Sequence, residues 1–349
     1  KTLSSPSFPS ILSLSPLFRL QHNRHRYMAA MLKLFTFLSI SIFYAAITTA
    51  SDELSFSASF PSAAMAKEFV RLSDAVYYLR SCKNKHLPSS VTCHTYNHTK
   101  GGTQVMIVSS DEKKYVAIVY AGSDNVKNWI SDFDVSMSDF GPADNPIVNA
   151  KVHDGFNHGV FDEGLFDDIQ STAKELLEQY PGYRIFISGH SLGAAESILT
   201  GAAMAHFDPT LNITVINFGC PKVGSREWKD WANSLPNLGV WRLVHREDIV
   251  PRMPSTWRFS HVGHTVQLNK RNAKAYYLHY GDKDLGYKSV PWNWESGALA
   301  TPTASAQHFI RIYVKYVTKK SAKNPDKYFV NDFVKKKAEN DVEFATIVY

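Results

Sequence analysis

The sequence predicts an α/β fold of the α/β-hydrolase type, with a mostly parallel central sheet and helices on both faces. Three observations carry this. Strand-type and helix-type stretches alternate through the body of the chain. The apolar run 183–188 leads directly into Gly189-His190-Ser191-Leu192-Gly193 and then into the Ala-rich, helix-type stretch 194–205. No internal repeat or compositional break divides the body, and 349 residues suffice for one large domain.

The elements follow in order. Residues 63–79 place Met65, Phe69, Val70, Leu72, Ala75, Val76 and Leu79 at helical spacing, so an amphipathic helix facing the core is expected. Residues 103–109 and 114–120 are strand-type, and the polar turn Ser110-Asp111-Glu112-Lys113 makes them a hairpin. A helix is expected over 161–179, stopped by Pro181-Gly182. After the strand and helix around Ser191 come a strand over 213–218, a short helix over 226–235, and strands over 238–246 and 261–268. The interval 280–306 is long, aromatic and rich in Pro and Gly, which marks a functional loop or a disordered one. Its stretch 287–294 could line a pocket.

Both ends read differently from the body. Residues 1–27 are rich in Ser, Pro and Arg, and the first acidic residue is Asp52. From Met28, a Lys, an apolar run over 34–47 and the small-residue exit Thr48-Thr49-Ala50 have the form of a secretory signal peptide over 28–50. On that reading residues 1–27 are a leader upstream of the native start, the domain covers 51–320 and the product is extracellular. An acid-free leader containing Ser and Arg also suits a plastid or mitochondrial transit peptide. Secretion makes a Cys82–Cys93 disulfide the expected pairing, with Cys220 a buried thiol behind an apolar strand. Sequons at Asn97 and Asn212 are compatible with it. The chain has a formal charge of +6, and its C-terminal stretch, the tail over 321–349 with the residues just before it, is rich in Lys. No Arg stripe with interleaved aromatics suggests a nucleic-acid partner, and nothing calls for a partner subunit, so a monomer is expected.

Chemistry centres on Ser191. Strand, G-x-S-x-G and helix form a nucleophile elbow, in which a tight turn lifts the serine above the sheet. Gly189 and Gly193 flank it because a Cβ at either place would collide with the adjoining strand or helix. The helix start directs free N–H groups and a positive dipole end toward a developing anion. A serine nucleophile needs a base and an orienting acid, and in this fold they follow in the order acid, then His. Asp248 ends an apolar strand just before Pro251, where a sheet delivers side chains to its carboxyl edge, with Glu247 as competitor. For the base, spacing leaves His308 level with His261, His264 and His279 together.

Several ordered motifs then resemble one family, the fungal-type (class 3) triacylglycerol lipases. They are Tyr120-Ala121-Gly122-Ser123, Asn128-Trp129-Ile130-Ser131-Asp132, Val152-His153-Asp154-Gly155-Phe156, the Ser191 elbow, Asn217-Phe218-Gly219-Cys220-Pro221-Lys222-Val223-Gly224, the stretch from Asp248 to Pro251, and His308. The resemblance implies a Ser191–His308–Asp248 triad and an oxyanion hole at Ser123 and the Leu192 backbone N–H. It also implies a lid over 124–133, with Val126, Trp129, Ile130 and Phe133 as the apolar face that meets lipid. Ala121 departs from the Arg usual before the oxyanion Gly, which bears on how the lid hinge is anchored. The expected partner is a lipid ester at a lipid–water interface, through transient contact with a membrane or droplet. The expected reaction proceeds through an acyl-enzyme, without metal or organic cofactor. Phospholipase, galactolipase and feruloyl-esterase activities would use the same residues, as would a silent lipid-binding relative.

Overall fold

The computed structural model describes residues 63–83, 86–125, 128, 134–245, 248–254, 256–268, 276–280 and 306–318. Six α-helices lie among the described residues: α1 (Ala63–Ala75), α2 (Asp154–Phe161), α3 (Leu165–Gln179), α4 (Leu192–Phe207), α5 (Arg226–Asn233) and α6 (Ile310–Thr318). The strands are β1 (Thr92–His98), β2 (Gln104–Ser110), β3 (Tyr115–Tyr120), β4 (Met137–Phe140), β5 (Val148–His153), β6 (Arg184–His190), β7 (Ile213–Phe218), β8 (Leu238–His245), β9 (His264–Leu268) and β10 (Tyr276–Tyr280).

Eight strands form one sheet in the order β1-β2-β3-β6-β7-β8-β9-β10. The run from β3 to β9 is parallel, while β1 and β2 on one side and β10 on the other are antiparallel. The expected mostly parallel sheet is therefore present. β4 and β5 pair separately. Strand period sorts the side chains: Val116, Ile118 and Tyr120 join Ile185, Ile187 and Val215 under α2 to α5. Ala117, Val119, Phe186, Ile216 and Trp241 join the opposite core, under α1 and α6. Strands covered on both faces are apolar at nearly every position, as in parallel sheets generally.

α4 is buried along almost its whole length, which explains its composition. A Cβ on Gly201 would stand 2.8 Å from Val215 Cγ2, so small residues let this helix lie directly on the sheet.

The structure corrects three sequence expectations. The helix expected over 161–179 begins only at Leu165, because Glu163 and Gly164 take positive φ (57° and 71°) and separate it from α2. Apolar spacing continues across this break, so sequence periodicity does not reveal it. His261 lies before its strand, which starts at His264. β1, β4, β5 and β10 appear where no strand was expected; β1 is a polar, half-buried edge strand with no clean alternation. Residues 1–62 and 319–349 lie outside the described residues, as does the aromatic stretch 287–294, so the signal peptide and tail readings are not addressed there.

Candidate active site

The carboxyl edge of the parallel strands gathers the site. Tyr120 pairs with Gly189, and His190 with Phe218, so the chain leaves β3, β6 and β7 side by side. Ser191 sits between β6 and α4 at φ 61° and ψ −125°, a strained conformation costing about 1–3 kcal/mol. Its N–H donates to Phe218 O at 3.1 Å. A Cβ on Gly193 would lie 2.5 Å from Ala121 O and 2.7 Å from Tyr120 O, and one on Gly189 would press on the Gly193 backbone. Both clashes are with backbone, which no rotamer change relieves.

Three residues far apart in the chain meet here, each fully buried. The Ser191 hydroxyl donates to His308 Nε2 at 2.7 Å. On the other side of the ring, Nδ1–H donates to Asp248, 2.8 Å from Oδ2 and 3.0 Å from Oδ1. This tautomer follows from the partners. Asp248 also accepts from the Tyr313 hydroxyl at 2.5 Å and from Val250 N–H at 2.9 Å. Gly219 makes the meeting possible: a Cβ there would stand 3.0 Å from both Asp248 Oδ2 and His308 Cε1.

The competing imidazoles are engaged elsewhere. His261 Nε2–H donates to Pro251 O at 2.7 Å, and His264 stacks on Trp241 with centroids 4.5 Å apart. Burial, then the Arg242 charge, pushes His264 down to about 4 and His261 well below its ordinary value. Glu247 and the side chain of His279 lie outside the described residues. So do Val126, Trp129, Ile130 and Phe133 of the expected lid. Ser123 and Leu192, the expected oxyanion residues, line one cavity of about 450 Å³ together with Ala121 and Gly122. Cys82 and Cys93 form a disulfide, and Cys220 is a buried free thiol. Among the described residues, no cluster of three or more His, Cys, Asp or Glu side chains could hold a metal.

Four residues around the triad escape sequence reasoning: Tyr77, His190, Gly219 and Tyr313. His190 occupies the variable position of the elbow motif, and its ring stacks on His308 at 4.6 Å. Its Nε2–H donates to His308 O at 2.7 Å, leaving Nδ1 to accept from the Tyr77 hydroxyl at 2.8 Å. Gly122 N–H in turn donates to the same Tyr77 oxygen. One phenol therefore joins the backbone beside Ser123 to the backbone of His308. Tyr77→Phe leaves two buried polar groups without that partner; kcat for p-nitrophenyl butyrate is expected to fall about tenfold with KM nearly unchanged. An unchanged kcat would remove this positioning role.

The buried ionisable groups also set how stability depends on pH. His190, His261 and His264 titrate below their ordinary 6.5 in the folded chain, mainly through burial. Below pH 6.5 the unfolded chain takes up protons that the folded chain refuses. Stability then falls by about 1.4 kcal/mol per pH unit for each such histidine, down to its folded value. Glu196 acts oppositely: burial raises it from 4.5 to about 8, so its contribution is complete below pH 4.5 and lost as pH rises toward 8. Three histidines outweigh one acid below 6.5, whereas Glu196 dominates above. The urea midpoint is expected to be highest near pH 6.5 and lower at both pH 5 and pH 8. A midpoint that rises steadily between pH 5 and pH 8 contradicts this account.

Comparison with known proteins points to one family. Residues 117–257 match the family model described as Lipase (class 3). The chain is 31% identical over 168 residues to a lipase of Rhizomucor miehei, covering 46% of this chain and 44% of that protein. It is 29% identical over 183 residues to a lipase of Rhizopus niveus, covering 51% and 45%. Phospholipase A1-IIbeta of Arabidopsis thaliana is 28% identical over 209 residues, covering 52% and 50%. The chain thus spans about half the length of the curated relatives it matches. Among solved structures, Rhizomucor miehei triacylglyceride lipase superposes with a TM-score of 0.58 at 23% identity, over 65% of this chain and 89% of that one. A triacylglycerol lipase described as having a serine-protease triad gives 0.57 at 24%, over 65% and 88%. At these identities the structures speak to the fold.

Proposed function

We propose that this chain, which belongs to the class 3 lipase family, is a secreted serine ester hydrolase acting on acylglycerols at a lipid–water interface. One observation carries the proposal: the unbroken hydrogen-bond relay from Ser191 Oγ through the His308 ring to Asp248. His308 Nε2 takes the serine proton as Oγ attacks the ester carbonyl. Asp248 holds the tautomer and stabilises the imidazolium. The Leu192 N–H and Ser123 meet the oxyanion, each worth about 3 kcal/mol in the transition state. His308 then protonates the leaving alcohol, and water releases the acyl group by the same steps. The lid role of Val126, Trp129 and Ile130 is part of this proposal, as is action as a monomer. Secretion is supported by the Cys82–Cys93 bridge, since such bonds persist in oxidising compartments.

Similarity to a phospholipase A1 favours a second reading, with the same chemistry on a polar lipid. Fatty-acid release from triolein, phosphatidylcholine and a galactolipid by the purified chain tests both. Turnover of triolein is the expected result. Failure on all three, together with no fluorophosphonate labelling, overturns the ester-hydrolase proposal.

A further inference from the structure

Trp257 is 92% exposed, whereas Trp228 and Trp241 are fully buried. So large an apolar side chain normally packs inside, and no step of the ester chemistry uses this one. Its loop is braced on both sides. Met253 O accepts from Lys222 N–H at 2.7 Å, Ser260 N–H donates to Gly224 O at 2.7 Å, and Arg258 N–H donates to the Thr256 hydroxyl at 3.0 Å. Met253 and Phe259, which flank the turn, are buried. The fold therefore holds the indole outward on a fixed support.

That support belongs to the active-site edge. It continues from Asp248, the triad acid, whose Oδ1 accepts from Val250 N–H at 2.9 Å. Its Phe259 ring lies 6.0 Å from the ring of His153, and His153 Nε2–H donates to Asp134 O at 2.7 Å. Val135, the next residue, is 41% exposed. Two exposed apolar side chains are thus tied to one buried imidazole, on the loop that carries the triad acid.

Charge indicates what they meet. Residues 249–264 contain Arg252 and Arg258 and neither Asp nor Glu. Arg258 is exposed, and Lys222 joins the same turn through its backbone. The Asp134 carboxylate, beside Val135, is turned back onto the N–H groups of Val135 and Ser136 and the Ser136 hydroxyl. An indole, with an apolar body and one N–H donor, settles at the headgroup level of a bilayer, and cationic side chains beside it favour lipids of negative charge. A protein partner would also grip an exposed indole. The loop shared with Asp248 favours lipid, because docking there carries Ser191 to the surface that holds its substrate.

We propose that Trp257 and Val135 form an anchor, separate from the segment 124–133, that seats the active-site edge on a membrane surface bearing anionic headgroups, with Arg258 and Lys222 supplying the attraction. The purpose of the anchor rests on the ester-hydrolase proposal; the binding itself does not.

The test uses the full chain carrying Ser191→Ala, which leaves lipid intact. It is sedimented with vesicles of phosphatidylcholine containing about one third phosphatidylglycerol, and with vesicles of phosphatidylcholine alone. Partitioning onto the charged vesicles is expected to be about tenfold stronger and to weaken with added salt. Adding Trp257→Ala lowers it about tenfold on both vesicles, and Trp257→Phe recovers it to within about threefold. Arg258→Ala lowers it about fivefold on the charged vesicles alone. Both side chains are exposed, so each variant should melt within about 2 °C of its parent. Absence of binding to either vesicle, or charged vesicles bound no better than neutral ones, overturns the proposal. So does a folded Trp257→Ala protein that partitions as its parent does, a result that would assign the indole to a protein partner instead. Wild-type turnover of p-nitrophenyl butyrate reads the ester-hydrolase proposal separately, since sedimentation needs no turnover.

Discussion

Ser191→Ala is expected to lower hydrolysis of p-nitrophenyl butyrate by about 100,000-fold and to abolish fluorophosphonate labelling, with the folded state intact. The Ser191 hydroxyl has a single side-chain partner, His308 Nε2 at 2.7 Å. Removing it deletes the attacking oxygen and leaves the imidazole with no proton to take. Alanine keeps the Cβ that Gly122 already accommodates, and it meets the same backbone strain at φ 61° as serine does. The melting temperature should therefore change by no more than about 2 °C, a shift worth about 1 kcal/mol in a domain of this size. Residual hydrolysis above about a thousandth of wild type, in protein free of contaminating esterase, would mean that another group attacks the ester.

What was readable in the sequence followed how local its cause was. β3, β6, β7 and β8 stand out because burial on both faces makes them apolar at nearly every position. β1 did not, because as an edge strand it shows one half-solvated face and polar residues throughout. Ser191 was visible because an elbow needs glycine at fixed offsets, and the Gly193 clash with β3 shows why. Asp248 and His308 are another matter. No spacing says which loops meet at a sheet edge, so only chain order and the family resemblance singled out His308 from the other imidazoles. Tyr77, His190 and Glu196 are polar groups inside apolar patterns. Their partners lie 113, 118 and 93 residues away in the chain, and such pairing leaves no mark on a single sequence.

Asp248→Asn should leave the protein folded and lower kcat about 10,000-fold. The reason lies in what the carboxylate accepts. Oδ2 takes the Tyr313 hydroxyl and His308 Nδ1–H, and Oδ1 takes Val250 N–H and the same Nδ1–H. Every one of these partners is a donor, and an amide has only one oxygen to offer them. Placed toward Tyr313, its NH2 also faces Nδ1; placed toward Val250, it faces a backbone N–H and again Nδ1. Val250 N–H can only donate, so the amide oxygen takes that side, and the NH2 takes the side 2.8 Å from Nδ1, where it donates to the ring and drives it to the tautomer that accepts through Nδ1. Nε2 then carries the proton and points it at Ser191, where a base is needed. Ser191 stays in place, so labelling by a fluorophosphonate should slow in proportion to kcat, and the NMR signal of a ring proton on Nε2 should replace that on Nδ1. A variant retaining a tenth of wild-type kcat would show that Asp248 does not set the tautomer, and would return the neighbouring Glu247 to consideration as the orienting acid.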